Sequence, residues 1–272
     1  MDEVAAQPSR AIFISEQSCL RVRNSILIAT GVHVIKPENG MEDQLAMWDA
    51  WHTRHVADDR SALHEECRKG LLHALPPSAA SGPVLELGCG QGFDAMLIAQ
   101  AGYRVEALDF SSNALSTARQ RLAACVHGLR VRFLLRDISA PLPYPDQSFS
   151  GIFSYLALHY FDDEGTARVF AEITRVAMPS CIFSFAVRSV NDPLFGKGKQ
   201  LDRRLYDWNG HIRHFFDQAE LASLLGPAWA IEELRPVRAH YLSSDHPAGG
   251  IIKVLAIRTG NGRVSSTDGT PA

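Results

Sequence analysis

The sequence predicts an α/β domain: a seven-stranded, mostly parallel sheet with helices on both faces. Three observations lead there. Short apolar runs alternate with helical runs from Val84 to about Leu225, and that alternation makes βαβ crossovers and a parallel sheet. The last two β-prone runs, Trp229–Val237 and Ile251–Ile257, have no helix between them, so they pair as a hairpin and bring one antiparallel strand into the sheet. Three glycines, Gly88, Gly90 and Gly92, follow the first strand of the series. They lie at the carboxyl edge, where open α/β sheets bind ligands.

The elements follow in chain order. Residues 1–40 read as an arm of unassigned structure, with β-prone stretches at Ala11–Ile14 and Ser25–Ile35. From Met41 the texture turns helical. Leu45, Trp48 and Trp51 share one helical face, and Leu63, Cys67, Leu71 and Leu75 share another until Pro76-Pro77 stops the chain. Residues 41–77 are therefore expected to form a helical lid, joined by the small-residue stretch Ser78–Pro83 to the sheet. Val84–Leu87 is the first strand, and Phe93–Ala101 a helix ended by Gly102. Arg104–Leu108 is a strand, Ser111 or Ser112 caps a helix to about Cys125, and Val131–Leu135 is a strand. The turn residues Pro143-Tyr144-Pro145-Asp146 announce a strand at Gly151–Leu156. Asp162 or Asp163 caps a helix to about Val176, Cys181–Val187 is a strand, and Asp217 caps a helix ending near Leu225. Residues 188–216 are expected to form a substrate-loop insertion over the rigid sheet, and the domain runs from 41 to 258. The polar stretch 259–272 reads as a flexible tail.

Composition narrows the function classes. The chain has 272 residues, 46% of them hydrophobic and 21% charged, enough to bury a core without staples and too apolar for disorder. The net charge is −3, whereas a protein that grips nucleic acid through its phosphates carries a basic excess. Five cysteines (Cys19, Cys67, Cys89, Cys125, Cys181) are scattered with no CxxC, which is neither a disulfide framework nor a zinc ribbon. Acids stand at the N-terminus where a signal peptide needs basic residues. The apolar run around Ile26–Ala29 is far short of the about 20 residues of a membrane span. The expectation is a cytoplasmic protein with no membrane and no nucleic-acid partner.

The glycine loop reads Val84-Leu85-Glu86-Leu87-Gly88-Cys89-Gly90-Gln91-Gly92-Phe93-Asp94. Glycine lets the backbone turn tightly and lets a ligand approach with no Cβ in the way. The dinucleotide pattern GxGxxG fails, because its third glycine would fall at Phe93. Glu86, an acid beside the loop, suits a cationic or hydroxyl-bearing ligand better than a diphosphate. Asp109 ends the next strand, 19 residues after Gly90, the spacing of an acid that accepts from ribose hydroxyls. Asp137 is expected at the end of the third strand, where an amide-bearing or a purine ring can be read.

The stretch VLELGCGQGFD, the ALDFS containing Asp109 and the RDI containing Asp137 resemble the class I S-adenosylmethionine-dependent methyltransferases over about Met41 to Ile257. The block LPYPDQSFSGIFSYLALHYF resembles their fourth-strand region. The segment DPLFGKGKQLDRRLYDWNGHIRHFF is similar to the small-molecule methyltransferase type 11/12 and tellurite-resistance or thiopurine-type groups. The resemblance implies a Rossmann-like sheet of order 3-2-1-4-5-7-6 with strand 7 antiparallel. It implies the cofactor S-adenosyl-L-methionine, with S-adenosyl-L-homocysteine as product. Glu86, Gly88, Cys89, Gly90 and Gly92 would line the methionine and ribose part, Asp109 the ribose hydroxyls, Phe110 and Ile138 the adenine, and Asp137 the adenine amino group. Ser154 and Tyr155 would pass under the sulfonium, and Trp48 or Trp51 would cover it.

Methyl transfer from a sulfonium is a displacement, for which a general base is needed only when the nucleophile arrives protonated. Base candidates are His159 in Leu158-His159-Tyr160, and His211 and His214 in the insertion. Between Arg188 and Arg213 six basic residues face three acidic ones, Asp192, Asp202 and Asp207. That excess suggests a small anionic substrate held by Arg203 and Arg204, against the plainer reading of a solvated loop. His52, His55, His64 and Cys67 have metal-like spacings but sit on predicted helices without HExxH, so no metal is expected. Rivals remain. An NAD(P)-dependent oxidoreductase lacks its third glycine and any YxxxK here. A nucleic-acid amino-methyltransferase would need N/D-P-P-Y/F where Ala157-Leu158-His159-Tyr160 stands. An aminopropyltransferase would need an acidic pocket where this chain is basic. A non-catalytic S-adenosylmethionine-binding scaffold is the non-enzyme alternative.

Overall fold

A computed structural model describes residues 41–54, 62–77, 82–125, 128–239 and 249–260. The expected N-terminal arm, the flexible tail beyond Gly260, and the readings for Cys19 and His55 lie outside the described residues, as does the side chain of Trp51. Helices α1 (Met41–Arg54) and α2 (Ala62–Ala74) precede β1 (Val84–Leu87), α3 (Phe93–Gln100), β2 (Val105–Asp109), α4 (Ser112–Ala124), β3 (Val131–Leu135) and β4 (Phe149–Tyr155). Then come α5 (Asp163–Val176), β5 (Ala177–Arg188), three short strands β6 (Lys199–Asp202), β7 (Leu205–Trp208) and β8 (His211–His214), α6 (Gln218–Leu225), β9 (Trp229–Ala239) and β10 (Gly249–Arg258).

The main sheet has seven strands in the order β3-β2-β1-β4-β5-β10-β9. The first five are parallel, and β10 runs antiparallel to β5 and β9. This is the expected order 3-2-1-4-5-7-6 with the last strand reversed. The strands on the central path are apolar on both faces, as a covered parallel sheet requires. Along β5, Phe183, Phe185 and Val187 enter a core layer with Phe170 of α5 and Leu221 of α6. Their neighbours Ile182 and Ala186 enter a second layer with Leu71 of α2, Ile98 of α3 and Leu115 of α4.

Three helix starts follow the capping rule. Ser111 accepts from the Ala114 N–H, Asp162 from Gly165 and Asp217 from Glu220. Each side chain satisfies a backbone donor that the first helical turn leaves unpaired.

Two expectations need correction. Only α1 takes a lid-like place, reaching α4 over the carboxyl edge; α2 packs on β4, β5 and β10 with Leu63, Cys67 and Leu71 buried. The insertion is not a bare loop but a three-stranded antiparallel sheet, β6-β7-β8. Its strands are four residues each, and β6 is exposed throughout, so no apolar alternation marked them in advance. No helix among the described residues is long and apolar enough to cross a membrane.

Candidate active site

The site opens at the carboxyl ends of β1, β2 and β4. After Leu87 the chain turns through Gly88 at φ 71°, Gly90 at φ 50° and Gly92 at φ 77°, a region L side chains rarely adopt. The Gly88 and Cys89 N–H groups both donate to the Leu108 carbonyl at 2.9 Å, which pins the loop to β2. A Cβ at Gly88 would stand 2.2 Å from the Ala157 Cβ, and one at Gly92 would enter the Phe133 ring at 2.6 Å. Gly92 is thus demanded by packing of α3 on the sheet, and Gly88 by the close approach of the chain after β4. Gly88→Ala should lower stability by about 1–3 kcal/mol through overpacking and backbone strain, read as a lower Tm; an unchanged Tm would show that the loop after β4 can give way.

Asp109 ends β2 almost fully buried. Its Oδ2 accepts from the Gly90 N–H at 2.7 Å and its Oδ1 from the Ser111 N–H at 2.8 Å. Burial pushes its pKa up to about 6 despite those donors. Glu86 is also buried, its Oε2 without a hydrogen-bond partner. Burial, with the Asp94 and Asp109 carboxylates nearby, holds its pKa well above the usual carboxylate range. An orphaned buried carboxyl oxygen costs free energy unless a donor arrives, and a ligand ammonium is such a donor. The pair fits a ligand with one cationic end and vicinal hydroxyls.

Helix α1 closes this cleft. Asp49 Oδ1 accepts from the Ser111 hydroxyl at 2.5 Å, and Asn113 Nδ2 donates to the Asp49 carbonyl at 3.3 Å. Gln91 donates to the His52 carbonyl at 3.3 Å, and the His52 ring stands within 3.4 Å of where a Gly90 Cβ would be. Trp48 lies edge-on to Tyr160 at 5.1 Å and to His211 at 5.6 Å. Gln44 reaches the Gly210 carbonyl at 2.5 Å, so α1 is tied to the small sheet as well. Sequence reasoning missed Asp49 and Asn113 and gave His52 only a metal-like spacing, because nothing local marks partners 39 to 64 residues away.

The other expected site residues are placed as follows. Phe110 is half-buried beside Asp109, and Ile138 is buried in the core with Leu108. Asp137 does not end β3, which stops at Leu135; it sits in the following turn and accepts from the Ser139 N–H and hydroxyl at 2.8 Å. Cys89 packs into the core, where burial pushes its thiol pKa up. Ser154 is fully buried and donates to the Leu87 carbonyl at 2.9 Å, bracing β4 against β1. Tyr155 stacks on His64 at 3.9 Å. His64 in turn pairs with Asp94, which also takes Arg68 Nη1 at 2.5 Å. Leu156, next after β4, is held at φ 54°, a rare conformation for a bulky residue.

The histidines separate. His159 is fully buried, with both ring nitrogens unpartnered. Burial, with Arg188 and Arg213 beside it, drives its pKa well below the usual imidazole value, so it stays neutral at physiological pH. His211 is half-buried against Trp48. His214 is a correction: its Nδ1 meets the Phe161 carbonyl at 3.3 Å and its Nε2 faces Glu220 at 2.9 Å, so it fastens β8 to α5 and α6. Nε2 also lies 3.8 Å from Asp163, a trio that could hold an ion, but the Arg204 guanidinium already pairs with Glu220 and Asp217. That pairing also takes Arg204 out of the expected anion grip, and Arg203 is an exposed neighbour in the same shallow cavity of about 420 Å³.

Comparison with known proteins agrees with this geometry. Residues 84–180 match the methyltransferase domain model. The chain is 33% identical over 129 residues to a malonyl-[acyl-carrier protein] O-methyltransferase of Serratia marcescens, covering 47% of each chain. It is 32% identical over 126 residues to the 27-O-demethylrifamycin SV methyltransferase of Amycolatopsis mediterranei, covering 45% of each. The chain thus spans about half the length of the curated relatives it matches. Its fold is similar to the Burkholderia thailandensis 1,6-didemethyltoxoflavin-N1-methyltransferase, solved with S-adenosylhomocysteine, at a TM-score of 0.61 and 19% identity over 85% of this chain and 94% of that one. The strand order and the glycine loop with its two acids agree with the match of residues 84–180 to a methyltransferase domain and with the resemblance to class I S-adenosylmethionine-dependent methyltransferases.

Proposed function

We propose that the chain binds S-adenosyl-L-methionine at the carboxyl ends of β1, β2 and β4. Its methyl group then passes by direct displacement to a small-molecule acceptor, leaving S-adenosyl-L-homocysteine. The observation that carries this reading is the pair of buried carboxyls at one loop: Glu86 with an orphaned oxygen, and Asp109 braced by the Gly90 and Ser111 N–H groups. The bound cofactor supplies a methyl on a positively charged sulfur, an excellent leaving group. Glu86 accepts from the amino-acid ammonium and Asp109 from the ribose hydroxyls, while the absence of a Cβ at Gly90 leaves room for the ligand.

Alignment is the chain's main contribution, and orientation alone is worth on the order of 7–11 kcal/mol. The Asp49–Ser111 and Gln91–His52 bonds hold α1 over the cleft, which keeps water off the reacting atoms. Trp48 offers an aromatic face to a cation or a flat acceptor. His159, neutral and buried, can accept a hydrogen bond from the acceptor; half-exposed His211, against Trp48, is the other candidate base. A small-molecule acceptor is supported by the rifamycin compound for which one relative is named.

Parallel calorimetric titrations with S-adenosyl-L-methionine, S-adenosyl-L-homocysteine and NADH test the reading. Micromolar affinity for the two sulfur compounds and none for NADH is expected. Affinity for NADH alone would replace the proposal with a nicotinamide enzyme.

A further inference from the structure

Beside the cleft, at the carboxyl ends of β4 and β5, lies a buried charge cluster outside the cofactor contacts proposed above. Phe216 donates to the Arg188 carbonyl at 2.9 Å and His214 to the His159 carbonyl at 2.8 Å, so β8 is seated against these two strand ends. Arg188, Asp192 and Arg213 are each no more than 5% exposed. Asp192 is fully engaged: Oδ2 takes Arg188 at 2.7 Å and Oδ1 takes the Leu194 N–H at 2.9 Å. Arg213 has no ion pair among the described residues; the Tyr160 hydroxyl is its polar partner, and its Nε has none. Two buried guanidinium groups therefore have one carboxylate near them, which is ion-paired with Arg188 and reaches Arg213 only through its field.

A buried unpaired cation is unfavourable unless an anion joins it. Guanidinium presents a planar fork of donors that matches a carboxylate. Tyr160 connects this cation to the cleft, because its ring meets Trp48 of α1, the helix that also covers Gly90. We propose that Arg213, presented by Tyr160, binds a carboxylate of the methyl acceptor, which is therefore an organic acid. This rests on the methyltransferase reading and moves the anion site from Arg203 and Arg204 to the interior. The carboxylate serves as a handle, and another atom of the acceptor takes the methyl. A cation beside a nucleophilic carboxylate would stabilise its charged ground state more than a transition state in which that charge is being neutralised, and so would slow transfer to it.

The test is titration of the S-adenosyl-L-homocysteine-loaded protein with benzoate and propionate, with benzamide and propionamide as uncharged counterparts and inorganic phosphate as a competing anion. Wild type should bind at least one of the two carboxylates with an affinity at least tenfold above its amide. Arg213→Met should lose that preference, Tyr160→Phe should weaken it several-fold, and Arg203→Met should keep it. Homocysteine-cofactor affinity should stay within twofold in all three. If Arg213→Met does not fold, Tyr160→Phe and Arg213→Lys carry the test, since an ammonium cannot form the two-pronged contact. Undiminished carboxylate preference in the folded Arg213 variant, no carboxylate binding by wild type, or tighter phosphate than carboxylate binding would each overturn the assignment. Failure of the wild type to bind either sulfur compound would instead overturn the methyltransferase reading, and the carboxylate arm, repeated without cofactor, still reports on Arg213.

Discussion

Asp94→Ala should destabilise the protein by about 3–5 kcal/mol, the usual loss when one partner of a buried ion pair is removed. Asp94 opens α3 and is 4% exposed; its Oδ1 takes Arg68 Nη1 and its Oδ2 faces His64 Nε2. Arg68 is itself only 9% exposed. Without Asp94 it keeps a charge that water cannot reach, beneath the helix that backs the glycine loop. For a domain of this size the loss corresponds to a fall in Tm of roughly 6–20 °C. The exposed pair Lys69–Glu65 on α2, the helix that carries Arg68, is 2.7 Å apart and is the control. Glu65→Ala should cost less than about 1 kcal/mol, because water screens both charges. Arg68→Met combined with Asp94→Leu should recover much of the stability, since the desolvation penalty goes with the charges. If Asp94→Ala melted within a degree of wild type, the cluster would have to be hydrated in solution.

Why some of this was readable from residues alone, and some not, follows from the range of each interaction. Caps are local, and Ser111, Asp162 and Asp217 each satisfy an N–H three residues on. The central strands are apolar on both faces, so β1, β2, β4 and β5 stand out as runs, and the helix-free gap before β10 reveals the reversed strand. The glycine loop and Asp109 were legible because backbone geometry restricts which residues fit: Gly88 must be glycine with Ala157 at its back. Sequence spacing does not tell which way a short polar strand turns. In β8, His211 lies against Trp48, while Arg213 and His214 are buried toward β5 and α6. Arg203 and Arg204 looked equally good as anion ligands, yet Arg204 is consumed by Asp217 and Glu220, which come from α6 and its cap. The clasp between Asp49 and Ser111 spans 62 positions and leaves no trace in either segment.

Asp109→Asn should weaken S-adenosyl-L-homocysteine binding by about 1–3 kcal/mol, on the order of 10–100-fold, the scale of hydrogen bonds made to a charged group. The carboxylate has two tasks: it organises the loop through Gly90 and Ser111, and in the proposed complex it takes the ribose hydroxyls. An amide can accept through one oxygen only, so one loop contact must go. The pH dependence separates this role from simple packing. Burial raises the Asp109 pKa in the folded protein to about 6 from 3.8. Because the folded form then binds the proton more tightly than the unfolded chain, ionised Asp109 works against stability above pH 6, and that cost is relieved as pH falls toward 3.8. Binding has the opposite sign. The hydroxyls need the carboxylate, so below about pH 6 the group must first lose a proton, and affinity should fall up to tenfold per pH unit. Above pH 7 the wild-type affinity should be flat. The asparagine variant has no proton to lose, so its weaker affinity should follow pH far less between 5 and 7. Parallel calorimetry in two buffers of different ionisation heat should show wild type releasing up to one proton on binding at pH 5.5 and the variant releasing less. Identical pH profiles for the two proteins would remove Asp109 from the ligand contact and leave it a loop brace, with the pH response assigned to Glu86, the other buried carboxyl at the loop.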